Sequence, residues 1–322
     1  METNEISEKA MGGTELMFHS IVDRLPEELL NEAQIIPSRV RDLKEDKIRI
    51  LWQHDLPGDP ESEHLKDRGW EKFHKIVFVS NWQMQKYLDR YDIPWEKCIV
   101  LQNAITPIPN HDKPDDGIIR LIYTPTPHRG LQILVPVFER LAEQYDNIEL
   151  DVYSSFELYG WKERDQPYES LFELCRQHPK INYHGSVSNE EIRAALMRAD
   201  IFAYPSIWPE TSCLCLLEAM SAGLTCVHSN YGALSETASN WTIMYQFNET
   251  LDQHAGLFHV VLEDAIKNCK TDEMKKRNNL QKQYVDAFYN VQTRSLQWGG
   301  LINNLKNLPR GFPEQKFVYE VR

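Results

Sequence analysis

The segment Tyr204 to Gly223, YPSIWPETSCLCLLEAMSAG, holds the residue types best suited to chemistry. Glu210 sits at the mouth of a loop, a helix N-terminus comes next over Thr211, Ser212, Cys213 and Leu214, and Glu218 stands two turns along. The unpaired amides of a helix N-terminus attract an anion, typically a phosphate. Glu210 can then accept sugar hydroxyls and Glu218 the two hydroxyls of a ribose, a division of labour that fits a nucleotide-sugar. The same spacing also suits a loop charge and a solvated helix residue, because such pairs arise by chance in a chain with 48 acidic residues.

The elements around this segment have the rhythm of a parallel sheet wrapped by crossover helices. IIRLIYT (118–124), IELDVYSS (148–155), INYHGSV (181–187), ADIFAYPS (199–206) and LTCVHSN (224–230) read as strands. Between the first two, Leu131, Leu134, Val135, Phe138 and Leu141 form one helical stripe. Ser188 with Glu191 is a capping box, and Gly223 ends the helix of the Glu pair. In the first half EAQIIPSRV (32–40), KIRILWQHD (47–55), HKIVFVSN (74–81) and CIVLQNAI (98–105) read as strands of a second α/β unit. TPIPNHDKPDDG (106–117), with three prolines and no apolar period, is the linker. The organisation expected is an N-terminal domain over 1–115 and a C-terminal domain over 116–322. Beyond Thr271 the chain is helical, with Tyr284, Phe288 and Leu296 as its apolar face and a last helix over about 293–308 that returns to the N-terminal domain. Ligands should bind in the cleft between the two sheets.

Composition bounds the function classes. A length of 322 residues suggests two cores, and 42% hydrophobic with 26% charged residues is an ordinary globular balance. A net charge of −13 argues against nucleic acid and anionic lipid as partners. No run approaches the ~18 apolar residues of a membrane span, and METNEISEKAM lacks the form of a secretory signal. The six cysteines are scattered among apolar neighbours, so reduced core thiols and a cytoplasmic location are expected, with packing favoured over zinc at Cys213 and Cys215.

The Glu210-x7-Glu218 segment resembles that of GT-B fold glycosyltransferases, particularly the retaining enzymes of glycosyltransferase family 4, and the likeness extends over most of the chain. HGSVSNEEIRAALMRADIFAYPS matches the approach to the segment, and SNYGALSE, with Gly232 and Glu236, matches the stretch after it. YTPTPHRGLQIL resembles the phosphate-binding turn of the donor domain, GGTE (12–15) the glycine-rich loop, and WQHDLPGD (52–59) the histidine loop. VFVSNWQMQKYL and IVLQNAI complete the pattern. The resemblance implies two Rossmann-like domains facing a cleft, the N-terminal one on the acceptor side and the C-terminal one holding the donor. It implies that Arg129 pairs with the donor diphosphate, that Gly12 and Gly13 let amides approach the phosphates, that His54 sits by the donor sugar, and that the base is met near Val187. Asp55 is even between an active role and a helix cap.

Two departures stand out. Family members commonly carry a basic residue five positions before the one matched by Arg129, where this chain has Thr124; Thr126, His128, Lys162 or Arg164 are the available substitutes. Family enzymes also enter the glycine loop from a hydrophobic strand, and METNEISEKA is no strand, so either the sheet lacks its first strand or the N-terminus is incomplete. The expectation is a retaining, metal-independent transfer of a sugar from a nucleoside diphosphate to a glycan or protein hydroxyl, with Glu210, His54 and Arg129 catalytic and no cofactor. The alternatives are a catalytically silent scaffold or regulatory subunit, or, further off, a nucleotide-sugar epimerase.

Overall fold

A computed structural model describes residues 12–307. The first part runs α1 (Gly13–Val22), α2 (Glu27–Glu32), β1 (Ala33–Pro37), β2 (Ile48–Gln53), β3 (Lys75–Phe78), α3 (Asn81–Tyr91) and β4 (Cys98–Val100). Its four strands are parallel and lie in chain order. Both faces are covered, which is why the strands read as nearly unbroken apolar runs. Ile35, Ile50, Trp52 and Val77 face Met17, Phe18 and Ile21 of α1. Their neighbours Ile36, Leu51, Ile76 and Phe78 face Leu65, Phe73 and Tyr87 on the other side. The strand expected over 98–105 stops at Val100. The expectation about a first strand falls on residues outside those described.

The second part begins with β5 (Ile119–Tyr123) and α4 (Leu131–Ala142), then β6 (Ile148–Val152), α5 (Glu169–Gln177), β7 (Ile181–Tyr183), α6 (Asn189–Arg198) and β8 (Ile201–Tyr204). It continues with α7 (Leu214–Ser221), β9 (Thr225–Ser229), α8 (Leu234–Ala238), β10 (Ile243–Tyr245) and α9 (Leu251–Asn268). The sheet order is β10-β9-β8-β5-β6-β7, all parallel. That is the doubly wound order, whose direction of winding reverses between β5 and β8. The Ser188–Glu191 capping box opens α6, and Gly223, at φ +68°, lies just past the end of α7.

The last two helices, α10 (Asp272–Phe288) and α11 (Val291–Asn307), correct one expectation. Phe288 and Leu296 are exposed, whereas Asn278, Gln281 and Val285 are buried. Both amides find partners: Asn278 Nδ2 donates to Thr225 Oγ1 at 2.9 Å and Gln281 Nε2 to the Leu224 carbonyl at 2.9 Å. Helix α11 crosses to the first sheet, where Trp298 meets Trp52 at 4.7 Å between ring centroids. The chain thus passes between the sheets twice, and the passages are joined by Ile105 and the Tyr289–Val291 segment through backbone bonds of 2.8 and 3.0 Å. Among the described residues no helix is long and apolar enough to cross a membrane.

Candidate functional site

A cleft of about 590 Å³ lies between the two sheets, at the carboxyl ends of β5 and β8 where the winding reverses. Its lining includes Gly13, His54, Asp55, Arg129, Val187, Glu210, Thr211, Ser212, Cys213, Leu214 and Glu218. Gly12 stands behind the wall as the N-cap of α1, its Cα so close to the Tyr159 ring that a Cβ would lie 2.6 Å from it. Of the four residues that could replace a basic group at Thr124, Thr126, His128 and Arg164 line the cleft. Lys162 does not: it is exposed and lies 3.7 Å from Glu157.

Two strand ends bring the central pair together. The turn after β5 carries Arg129, and Gly130, at φ +138°, leaves no room for a Cβ, which would lie 2.2 Å from the Pro205 carbonyl at the end of β8. That approach sets Arg129 Nη1 2.6 Å from Glu210 Oε1. Tyr204 donates its hydroxyl to the same oxygen at 2.5 Å, and Glu210 is only 4% exposed. Burial works against the Arg129 charge, but Glu210, Tyr159 and Tyr204 together hold the guanidinium well above its ordinary range, so it stays protonated. Its carbon lies 5.7 Å from the Trp208 ring centroid. The Glu210 backbone bridges to Gly232 and accepts from Ala233 N at 2.7 Å. Gly232 is required there, since its φ is +67° and a Cβ would lie 2.5 Å from Glu210 N and O.

Glu218, on the first turns of α7, accepts from Arg193 Nη1 at 3.0 Å. Burial raises its pKa, and Arg193 opposes the shift. Arg193 also donates to the carbonyls of Thr106 and Pro107, which joins this carboxylate to the linker. Helix α7 has Cys213 as its N-cap with no side-chain hydrogen bond there, and Ser212, Cys213 and Leu214 at this helix start line the cleft.

From the first sheet, the β2 end presents His54 and Asp55. Burial pushes the His54 pKa down to about 3, which keeps the imidazole neutral, and the ring packs 4.6 Å from Trp52. Asp55 is raised, chiefly by burial and then by Asp59, against the Ser38 hydroxyl and Arg39. The two halves touch through Thr211 Oγ1 to the His54 carbonyl (3.0 Å) and Asn103 Nδ2 to the Ser212 carbonyl (3.2 Å). Around the cleft His54 Nε2, Thr126 Oγ1, His128 Nδ1 and Arg129 Nε are buried without a protein partner among the described residues. Such orphans are costly, and polar atoms of a ligand or solvent are their usual complement.

In the 153–168 segment sequence reasoning named Arg164 but missed Tyr153, Ser155, Phe156, Tyr159 and Trp161, which join it in the wall. Arg164 stacks at 4.1 Å over Trp161. The density of aromatic residues in a stretch with no apolar period was the available signal. Tyr204 and Arg193 were missed too, and nothing in local spacing marks them.

A sequence profile described as glycosyl transferases group 1 matches residues 109–283, more than half of the chain. The chain belongs to that family. One subunit of human phosphatidylinositol N-acetylglucosaminyltransferase is 24% identical over 169 residues, covering 50% of this chain and 33% of the human protein. The GPI3 subunit of the same transferase from Saccharomyces cerevisiae is 23% identical over 184 residues, covering 53% and 39%. The match therefore spans between a third and two-fifths of these curated relatives. A glycosyltransferase from Rickettsia africae ESF-5 superimposes with a TM-score of 0.70 at 16% identity, over 95% of this chain and 85% of that one. The pneumococcal O-GlcNAc transferase GtfA, solved with UDP and GlcNAc, gives 0.63 at 12% identity, over 87% and 59%. The fold is GT-B, as the motifs implied, and membership of the glycosyltransferase family is borne out.

Proposed function

We propose that the chain transfers a sugar, with retention at the anomeric carbon and without a metal ion, from a nucleoside diphosphate to an acceptor hydroxyl of a glycan or protein. The observation that carries this reading is the Arg129–Glu210 pair at the winding reversal, surrounded by buried polar atoms without protein partners. In the reaction the bond from the anomeric carbon to the diphosphate oxygen breaks and its electron pair leaves with the diphosphate. The acceptor oxygen bonds the same face, and its proton passes to the departing phosphate oxygen. Arg129 and the uncapped amides of α7 stabilise the growing negative charge, which is electrostatic catalysis by groups already in position. Glu210 orients the sugar and steadies the anomeric carbon. Glu218 takes the ribose, and the backbone near Val187 meets the base. Neutral His54 offers Nε2 to a sugar hydroxyl.

Arg164, held over Trp161 at the cleft wall, replaces the basic residue missing at Thr124. The sequence has no Asp-x-Asp segment to hold a metal diphosphate. Six free cysteines, four of them buried, support a reducing, cytoplasmic setting. Thr124 also favours a second reading, a silent GT-B scaffold that keeps the nucleotide site. One experiment separates the two: calorimetry with UDP, GDP, ADP and their sugar conjugates without metal, and then slow hydrolysis of the donor that binds. UDP-N-acetylglucosamine is tested first, given the names of the relatives. Selective binding with hydrolysis lost in Glu210→Ala supports the transferase; binding without turnover over many acceptors supports the scaffold.

A further inference from the structure

The geometry points to Glu236 as a positioning residue that fixes the acceptor half of the cleft against the donor half. Glu236 lies in α8 beside the second sheet, yet the four side-chain hydrogen bonds of its carboxylate among the described residues all reach the first part. It accepts from the backbone amides of Asn81 (2.9 Å) and Trp82 (3.0 Å), from Asn81 Nδ2 (2.8 Å) and from Gln102 Nε2 (3.3 Å). Those two amides open α3, whose own Ser80 cap takes only the Gln83 amide. The first amides of a helix lack intrahelical partners and carry its positive end, so a carboxylate is the best acceptor for them.

The bonds continue inward on both sides. In α3, Gln83 Nε2 donates to the Asp55 carbonyl at 2.8 Å and the Tyr87 hydroxyl to the same oxygen at 3.2 Å. Helix α3 therefore holds the turn that presents His54 and Asp55. On the donor side Glu236 is three residues beyond Ala233, whose amide is bonded to the Glu210 carbonyl at 2.7 Å. One carboxylate thus closes a continuous path from Glu210 to Asp55. Beside the Thr211–His54 and Asn103–Ser212 bonds, Glu236 is a further tie between the halves and the one that anchors a helix N-terminus across the cleft. The inference rests on the transferase reading for its kinetic consequence and on geometry alone for its structural one.

The test compares wild type with Glu236→Gln and Asn81→Ala. Glutamine keeps one acceptor oxygen but turns an N–H toward backbone donors, whereas Asn81→Ala removes a single bond and spares both amide contacts. In Glu236→Gln we expect UDP affinity within twofold of wild type, turnover of UDP-N-acetylglucosamine lowered by about tenfold or more, faster hydrogen exchange at Asn81 and Trp82, and a larger radius of gyration by small-angle scattering. Asn81→Ala should move all four readouts the same way by less, and it serves alone if the glutamine variant does not fold. Unchanged exchange and radius of gyration would overturn the proposal. So would a loss of UDP affinity in step with turnover, which would make Glu236 a support of the donor domain only. If wild type binds none of UDP, GDP and ADP and consumes none of their sugar conjugates, the transferase reading fails, and exchange and scattering still decide the role of Glu236.

Discussion

Removing the guanidinium in Arg129→Ala should weaken both the fold and the nucleotide site, by amounts that the geometry bounds. The pair is short, 2.6 Å, with side-chain exposures of 23% for Arg129 and 5% for Glu210. An exposed ion pair contributes up to about 1 kcal/mol, and breaking a fully buried one costs about 3–5 kcal/mol because one charge is left without a partner. The Arg129 end reaches solvent, so we expect a loss of about 2–3 kcal/mol. Most of that is the penalty of stranding Glu210, to which only the Tyr204 hydroxyl would remain bonded. Removing Glu210 as well should restore part of the loss, giving a coupling energy of about 1.5–2.5 kcal/mol in a double-mutant cycle. Urea unfolding of wild type, both single variants and the double variant measures it. In parallel, one lost charged hydrogen bond to phosphate, worth about 1.5–3 kcal/mol, should weaken UDP binding by about 10- to 150-fold while leaving uridine binding unchanged. A coupling energy near zero, or equal losses for UDP and uridine, would refute the assignment of Arg129 to both partners.

Four further outcomes rest on the same geometry. Arg129→Lys should keep stability within about 1 kcal/mol yet slow turnover at least tenfold, because a point charge cannot hold Glu210 and phosphate together; kinetics equal to wild type would contradict this. Glu218→Ala should weaken UDP binding about tenfold with little change in turnover at saturation, read by calorimetry and steady-state kinetics. Gly232→Ala should cost about 2–3 kcal/mol in urea unfolding, from the left-handed φ and the crowding on Glu210, and should lower turnover with it. Burial holds His54 near pKa 3 and both His128 and His228 near 4, so the unfolded chain takes up protons below about pH 6.5 that the folded chain refuses. Stability should therefore fall as pH drops from 6.5 toward 4, by about 1.4 kcal/mol per pH unit for each histidine, and His228→Asn should flatten the slope.

The six-stranded half of the fold was legible where its elements end in residues with a local signature. The Ser188–Glu191 box and Gly223 report on backbone and side-chain geometry settled within a few residues. Helix α10 was misread for the opposite reason. Buried Asn278 and Gln281 are tolerable only because Thr225 Oγ1 and the Leu224 carbonyl, more than fifty residues away, meet them. Arg193 escaped notice likewise, since its partners Glu218, Thr106 and Pro107 come together only in the folded chain. Three-residue β10 carries too short a pattern to be read at all. The first sheet gave no helical signal between β1 and β2, and the structure has none there: residues 38–47 connect two parallel strands without a helix.

The proposed role of Arg129 asks one guanidinium to serve a carboxylate and a diphosphate together. The atoms allow it. Glu210 is met through Nη1, while Nε is buried with no protein partner among the described residues. A guanidinium presents five donors in a fixed fork, and its Nε–Nη2 edge is one of the faces that can grip two oxygens of a phosphate. Arg129 can therefore hold a phosphate along that edge without releasing Glu210. In the proposed transfer the pair persists through binding, so the carboxylate assigned to the sugar would stay in a fixed relation to the cation assigned to the leaving group. As charge grew on a diphosphate with the stretching of its anomeric bond, a fork already anchored by Glu210 would respond without reorganising, which is the condition under which electrostatic stabilisation lowers a barrier most. Glu210 need not act as a nucleophile in this arrangement: its lasting bonds to Arg129 and Tyr204 make it a poor one and a good brace.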